Sequence, residues 1–508
     1  MLSKSLFLAT VLAFPCFAQD KPADAPKPEE KKAEEAKADG KKEEHKDDSV
    51  ATEHKITVGG QPLTYTATAG TITLTKAYGE PRAKIFHVSY ERTGADVKPL
   101  AQRPVCFCFN GGPGSSAVWL HMGAFGPRRV VLPDGGTTAP KPPYALTDNE
   151  FTLLRDADLV FVDPVSTGLS QPEKGEDPKQ FHGFNEDVES VGDFIRLWIT
   201  KHQRWGSPKF LMGESYGAIR VSGLASHLQD RYGMYLNGII IVSGLLDFKT
   251  LSPGEQNDVP YIGWLPNYTA SAHFHKKLAP ELMGDFQSLW NRSRDFARGA
   301  YASALLRGTG LPEEDRDRIA GELSTLTSLP KDFILRQNLR IDPSTFRRKL
   351  LEKEDKVIGR FDARCTGNND DPSYTVVFGA FATLMNSYLR EKEGLNYQTA
   401  RPYEILNGGA VQPWNYGRGN QYFDVCRELS GAITDNPSLQ VFIACGYHDL
   451  ATPPGGIEYS VSHLDLPREL RANFHWGYYD GGHMMYTILP SLQKLSADVS
   501  AFLQQAVK

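Results

Sequence analysis

The sequence predicts an α/β fold with a largely parallel central sheet and a helical cap insertion. Short apolar runs at 105–109, 158–162, 209–212, 238–242 and 439–445 are bounded by Gly, Pro or Asp, and they lack the alternation of a sheet with one wet face. Such runs suit strands buried on both sides. The stretches 185–201 and 218–232 have the helical pattern expected of crossovers between parallel strands. From about Phe248 to Tyr403 the rhythm changes to long amphipathic stretches, 280–298, 313–327 and 343–356, and strand-like runs return only at Leu439. An insertion that interrupts the sheet folds most simply over one edge as a cap.

At the N-terminus, residues 1–18 hold one lysine (Lys4), an apolar run over 6–14 and small residues before Gln19, the pattern of a secretory signal peptide. The run is too short to span a bilayer, and no later segment approaches the roughly 20 uncharged apolar residues of a transmembrane helix. The mature chain is therefore expected to be exported, to a periplasm or outside the cell, with no stable membrane insertion. Cys16 raises a lipid-anchor alternative, which Ala13-Phe14-Pro15 disfavours because a lipid-modification site wants small residues there. Residues 19–50 are rich in Lys, Glu, Ala, Pro and Asp with no Phe, Tyr or Trp, and predict a disordered charged linker. Folded sequence is expected from about Thr52.

Alternating segments at 56–66, 70–76 and 83–92 then read as antiparallel strands that open an α/β core, 51–247. The insertion occupies 248–404, and the core resumes over 405–508. Net charge is −5, from 56 basic and 61 acidic residues, which gives no electrostatic reason to expect a nucleic-acid partner. Of the six cysteines, Cys16 departs with the signal; Cys106 and Cys108 fall on one side of a strand, Cys445 reads as a buried hydrophobe, and Cys365 with Cys426 is the one pairing put forward. The Cys and His spacings match no zinc site, so no metal is expected. Asn267 and Asn291 match glycosylation acceptors, a short pattern common by chance.

The chemistry centres on Gly213-Glu214-Ser215-Tyr216-Gly217, between the run 209–212 and a helical stretch from Ala218. A sharp strand-to-helix turn projects a serine Oγ outward and brings the flanking glycines against backbone, where a Cβ would clash. A serine hydroxyl needs a base held by a carboxylate. Downstream, in the order such a fold requires, Asp449 follows the strand-like run 439–445, and His483 follows 474–479 through Asp480-Gly481-Gly482. Alone, each would be a turn Asp or a surface His; together, past strand ends, they predict a Ser215, Asp449, His483 triad. The Gly-rich Asn110-Gly111-Gly112-Pro113-Gly114-Ser115-Ser116 follows another strand, and predicts an oxyanion hole from the Gly112 and Tyr216 amides. A phosphate loop is a poorer reading, because no Gly-Lys-[Ser/Thr] closes it and Pro113 removes a donor.

These blocks, with Asp158 to Ser170 and Gly481-Gly482-His483-Met484, resemble the serine carboxypeptidase family, and the resemblance implies an exported bacterial-type member. It also implies an α/β-hydrolase fold with a helical cap, no cofactor, and removal of C-terminal residues from peptide substrates, usually under acidic conditions. In that family an Asn of the Gly-rich motif and two glutamic acids hold the substrate's terminal carboxylate. Asn110 and Glu214 match the Asn and one glutamate, whereas the second glutamate's position is Ala124. Other departures are Cys108 for a common Trp, Ser115 for a Cys, and Asp163-Pro164-Val165-Ser166 for Asp-Gln-Pro-Val-Gly. They leave the triad intact and weaken strict carboxypeptidase specificity. An esterase or acyltransferase on the same scaffold is the enzymatic alternative; a non-catalytic binding protein is disfavoured by the intact triad. Glu214 also admits a bland reading, a carboxylate favoured by the dipole of the following helix.

Overall fold

The computed structural model describes residues 47–417, 419 and 421–508. The expected signal peptide and most of the charged linker lie outside the described residues. Antiparallel strands β1 (Ser49–Val58), β2 (Gln61–Thr75) and β3 (Pro81–Thr93) are followed by β4 (Val105–Phe109), β5 (Asp158–Val162), β6 (Lys209–Glu214), β7 (Gly238–Val242), β8 (Gln440–Gly446) and β9 (Phe474–Tyr479). They form one sheet in the order β1-β2-β3-β5-β4-β6-β7-β8-β9, with Gln171–Pro172 pairing on β3. From β5 to β9 every pairing is parallel, as double-sided burial of those runs predicts.

Alternate residues of the parallel strands feed two apolar layers. Cys106, Leu159, Met212 and Ile240 enter one face, and Phe107, Val160, Leu211 and Ile241 the other. The second face is covered by α1 (Phe184–Lys201) and α2 (Gly217–Tyr232); α2 ends at Gly233, whose φ of 61° supplies the left-handed cap that lets the chain turn back toward β7. The inserted helices α3 (Val259–Phe274), α4 (Phe286–Phe296) and α5 (Glu313–Thr327) bury Trp264, Trp290, Ile319 and Leu323 in a separate third cluster. Helix α6 (Pro372–Arg390) also lies within the span read as the insertion, yet Val377, Phe381 and Met385 pack into the first sheet layer. The chain continues through α7 (Cys426–Asp435), α8 (Pro454–Ser462) and α9 (Leu489–Ala506).

Several local expectations shift. Strand β1 starts at Ser49, before Thr52, because the preceding acids are engaged: Asp47 accepts from the Thr73 amide at 3.0 Å and Asp48 from the Tyr397 hydroxyl at 3.0 Å. The segment read as one strand over 56–66 is split by Gly59 and Gly60, whose φ values of 58° and 77° make a tight hairpin turn. In the insertion, α4 begins only at Phe286, where Asp285 caps the Gln287 amide. Cys106 and Cys108 do share a side, Sγ to Sγ 3.9 Å. The pairing of Cys365 with Cys426 is not made: Cys365 is a buried thiol in the first apolar layer, while Cys426 packs on the opposite one. Asn267 is fully buried in α3, which removes it as a glycosylation acceptor.

Candidate active site

The turn between β6 and α2 holds Ser215 at φ 60°, a left-handed conformation that a serine adopts only when its surroundings impose it. The surroundings are explicit. The Ser215 amide donates to Val242 O at 3.1 Å, a Cβ on Gly213 would lie 2.1 Å from Gly217 O, and one on Gly217 would lie 2.9 Å from Phe109 O. Only glycine fits either flank.

Past the end of β8, Asp449 is fully buried and accepts the Ala451 and Thr452 amides at 2.7 and 2.9 Å on Oδ1. Its Oδ2 lies 2.8 Å from His483 Nδ1, which aims the ring's other nitrogen away from the carboxylate. Burial alone would lower the proton affinity of His483, but the charge and hydrogen bond of Asp449, with Glu214 behind them, raise it above the ordinary histidine value. Thr452 was not legible in the sequence: its hydroxyl sits 2.8 Å from Asp449 Oδ2, 2.7 Å from Ser243 O and 3.0 Å from His483 Nδ1, tying the pair to the loop after β7.

The Gly-rich segment after β4 is pressed against this turn, since a Cβ on Gly111 would lie 2.5 Å from Tyr216 N. It is anchored from below by Arg220 of α2, buried, which pairs with Asp187 of α1 at 2.7 Å and donates to Asn110 O at 2.7 Å. Gly112 has φ 110° and lies on the cavity wall. Among the described residues neither the Gly112 nor the Tyr216 amide donates to a backbone or side-chain oxygen. The Tyr216 side chain points into the opposite layer, where its hydroxyl accepts from Trp414 at 3.1 Å, so only its backbone faces Ser215 chemistry.

Glu214 is buried directly before the serine, and its Oε2 accepts the Tyr486 hydroxyl at 2.6 Å. Burial pushes its carboxyl up to about 7, opposed by His483 and the Tyr486 hydrogen bond. Asn110 is also fully buried; its Oδ1 takes the Leu120 amide at 3.1 Å, and its side-chain nitrogen faces Glu214 without forming a hydrogen bond of good geometry. The structure thus places Asn110 behind Glu214 and off the cavity wall, where direct contact with a substrate had been expected. Ala124, fully buried in the turn Leu120–Phe125, packs in the first apolar layer.

Ser215, His483, Glu214 and Gly112 share one cavity of about 150 Å³, walled by Trp119, Phe361, Tyr374, Val377, Leu406 and Met484, with Arg360 on its rim. A larger groove of about 630 Å³, beside β9 and α8, contains none of these residues. Among the described residues no His, Cys, Asp and Glu side chains converge to hold a metal ion, and no helix is long and apolar enough to cross a membrane. The sequence reading missed Thr452, Tyr486 and Arg360, because each reaches the site from a segment with no motif of its own.

A serine carboxypeptidase family model matches residues 61–473. Serine carboxypeptidase-like 36 of Arabidopsis thaliana is 28% identical over 170 residues, 32% of each chain. The lysosomal protective protein of Mus musculus is 29% identical over 182 residues, 35% of this chain and 33% of the relative. The chain thus spans about a third of the length of these curated relatives. The crystal structure of a prohormone-processing carboxypeptidase from Saccharomyces cerevisiae superposes with a TM-score of 0.55 at 15% identity, covering 87% of this chain and 92% of that one. The parallel sheet, its helical layers and this likeness make the fold an α/β-hydrolase fold, and with a family model matched from the start of β2 to the residue before β9, the chain belongs to the serine carboxypeptidase family.

Proposed function

We propose that this chain is a serine carboxypeptidase that releases C-terminal residues from peptides through an acyl-enzyme on Ser215, with His483 as base and Asp449 as its partner. The observation that carries the reading is the 2.8 Å contact of His483 Nδ1 with a fully buried Asp449, with His483 and a left-handed Ser215 on the wall of the same cavity. Neutral His483 takes the Ser215 proton as Oγ attacks the scissile carbonyl, whose oxygen gains the charge. The Gly112 and Tyr216 amides are the donors for that oxygen. Collapse expels the amine with the proton from His483; water, deprotonated by the same ring, then hydrolyses the ester. Glu214 has Oε1 left over from its Tyr486 bond, and below about pH 7 it carries a proton that can be donated to a substrate's terminal carboxylate.

In this reading the chain is an exported bacterial-type member of the family, supported by the signal-like residues 1–18, and the helices α3 to α5 of the span 248–404 form its cap, supported by a third apolar cluster distinct from the two sheet layers. The test is labelling by a serine-directed phosphonate followed by assay on peptides with free or amidated C-termini and on esters. Labelling that Ser215→Ala abolishes, with cleavage of free-acid peptides, supports the proposal. An esterase or acyltransferase is the second reading, favoured by Ala124 at the second glutamate's position and by the apolar cavity wall. Faster cleavage of esters and amidated peptides at every pH would establish it instead.

A further inference from the structure

The cavity wall offers a substrate's terminal carboxylate few direct partners. Asn110 has no surface there, and Glu214 attracts an anion only while protonated. The Ser115 hydroxyl is occupied, donating to nearby carbonyls and accepting the Trp119 indole N–H at 2.9 Å. Besides His483, the one cation among the wall residues is Arg360.

Arg360 is held by its backbone and free at its tip. Its amide donates to Asp371 Oδ1 at 3.0 Å and its carbonyl accepts from the Leu450 amide at 3.1 Å. The next residue, Phe361, accepts the His483 amide through its carbonyl, so this segment is fastened to the catalytic histidine's own loop. The guanidinium lies over the Phe361 ring, 5.1 Å from its centroid. Among the described residues it has no carboxylate within ion-pair distance and no hydrogen-bond acceptor, and the residue is exposed. An exposed guanidinium with no side-chain partner among the described residues, stacked on Phe361 and lining the same cavity as Ser215, is a fork of donors matched to a carboxylate.

We propose that Arg360 anchors the terminal carboxylate of the peptide substrate and so sets the preference for free C-termini. This rests on the carboxypeptidase reading above and adds a recognition residue to it. A cation in this position binds the carboxylate whether or not Glu214 is protonated, so free-acid specificity does not depend on a pair of carboxylic acids.

The test compares Arg360→Met, which keeps a stem to pack on Phe361, and Arg360→Lys with the unaltered protein, using one peptide sequence as free acid, amide and ester. For Arg360→Met the expected result is a KM raised roughly 10- to 100-fold for the free acid, with kcat little changed and the amide and ester unaffected. Arg360→Lys should recover part of the loss, and both variants should label with a phosphonate at the unaltered rate. Equal losses on all three substrates, or slower labelling, would assign Arg360 a merely structural role and overturn the proposal. An unchanged free-acid preference in Arg360→Met, in a protein that does cleave such peptides, overturns the anchor alone. Labelling without any cleavage of free-acid peptides overturns the carboxypeptidase reading and the anchor with it.

Discussion

The Tyr486 hydroxyl donates to Glu214 Oε2 at 2.6 Å, linking the residue before Ser215 to a side chain from the loop after His483. The Tyr486 ring is fixed in turn, because a Cβ on Gly123 would lie 2.6 Å from its Cε2. The hydrogen bond favours the ionised form of Glu214, so Tyr486→Phe should raise its pKa further above about 7. KM for free-acid peptides should then stay low to higher pH. Where Glu214 is still ionised, a buried carboxylate loses a donor at a cost of about 1–3 kcal/mol, readable in denaturant melts. A pH profile of KM that does not move would separate Tyr486 from substrate binding.

Glu214 also bears on the base. Its negative charge is one of the influences that raise His483, so Glu214→Gln should lower the His483 pKa and move the acid limb of kcat/KM to lower pH. The same change puts an amide donor, present at every pH, where Glu214 donates only when protonated, so binding of free-acid peptides should lose its dependence on pH near 7. A full pH-rate profile of the variant on amidated and free-acid substrates reads the two effects apart.

Within the proposed triad, Ser215→Ala and His483→Ala should each remove nearly all turnover. Asp449→Asn should fold normally and lose roughly ten-thousandfold in kcat, by analogy with other serine triads, since the amide cannot hold the imidazole in the working tautomer. Single-turnover assays with an activated ester check all three, and circular dichroism checks the fold.

Much of this was legible because the strongest signals are local. The strand at 209–212, the glycines at 213 and 217, and the helix from Ala218 impose one turn by sterics alone. Asp449 and His483 could be found because each follows an apolar run that becomes a parallel strand. Thr452, Tyr486 and Arg360 could not, since their places beside Asp449, Glu214 and the cavity exist only once distant segments of the chain are packed together. Asn110 was read from its motif, but a motif does not reveal that Leu120 claims its oxygen. Residues 372–390 fall inside the span 248–404 read as a helical insertion, and the rhythm of that span says nothing about which apolar layer receives Phe381.

The start of β1 at Ser49, with Asp47 and Asp48 engaged before it, sets the boundary for a truncation. Deleting residues 1–46 should leave stability and activity unchanged. Deleting residues 1–50 also removes the ion pair of Asp47 with Lys201, at 3.0 Å, and the Asp48 contact with Tyr397, besides two residues of an edge strand. The exposed ion pair contributes little, and the hydrogen bonds about 1 kcal/mol each. The longer truncation should therefore melt a few degrees lower and keep its kcat, as parallel thermal melts and activity assays would show.

In the proposed function Ser215 serves an exopeptidase that recognises a free C-terminus. Its most direct test is product analysis by mass spectrometry of one peptide offered as free acid and as amide, on both sides of pH 7, with the unaltered protein and Ser215→Ala. Stepwise release of single C-terminal residues from the free acid is expected, with its margin over the amide larger on the acid side of pH 7 and with Ser215→Ala inert. Internal cleavage, faster turnover of the amide at every pH, or undiminished release by Ser215→Ala would contradict it.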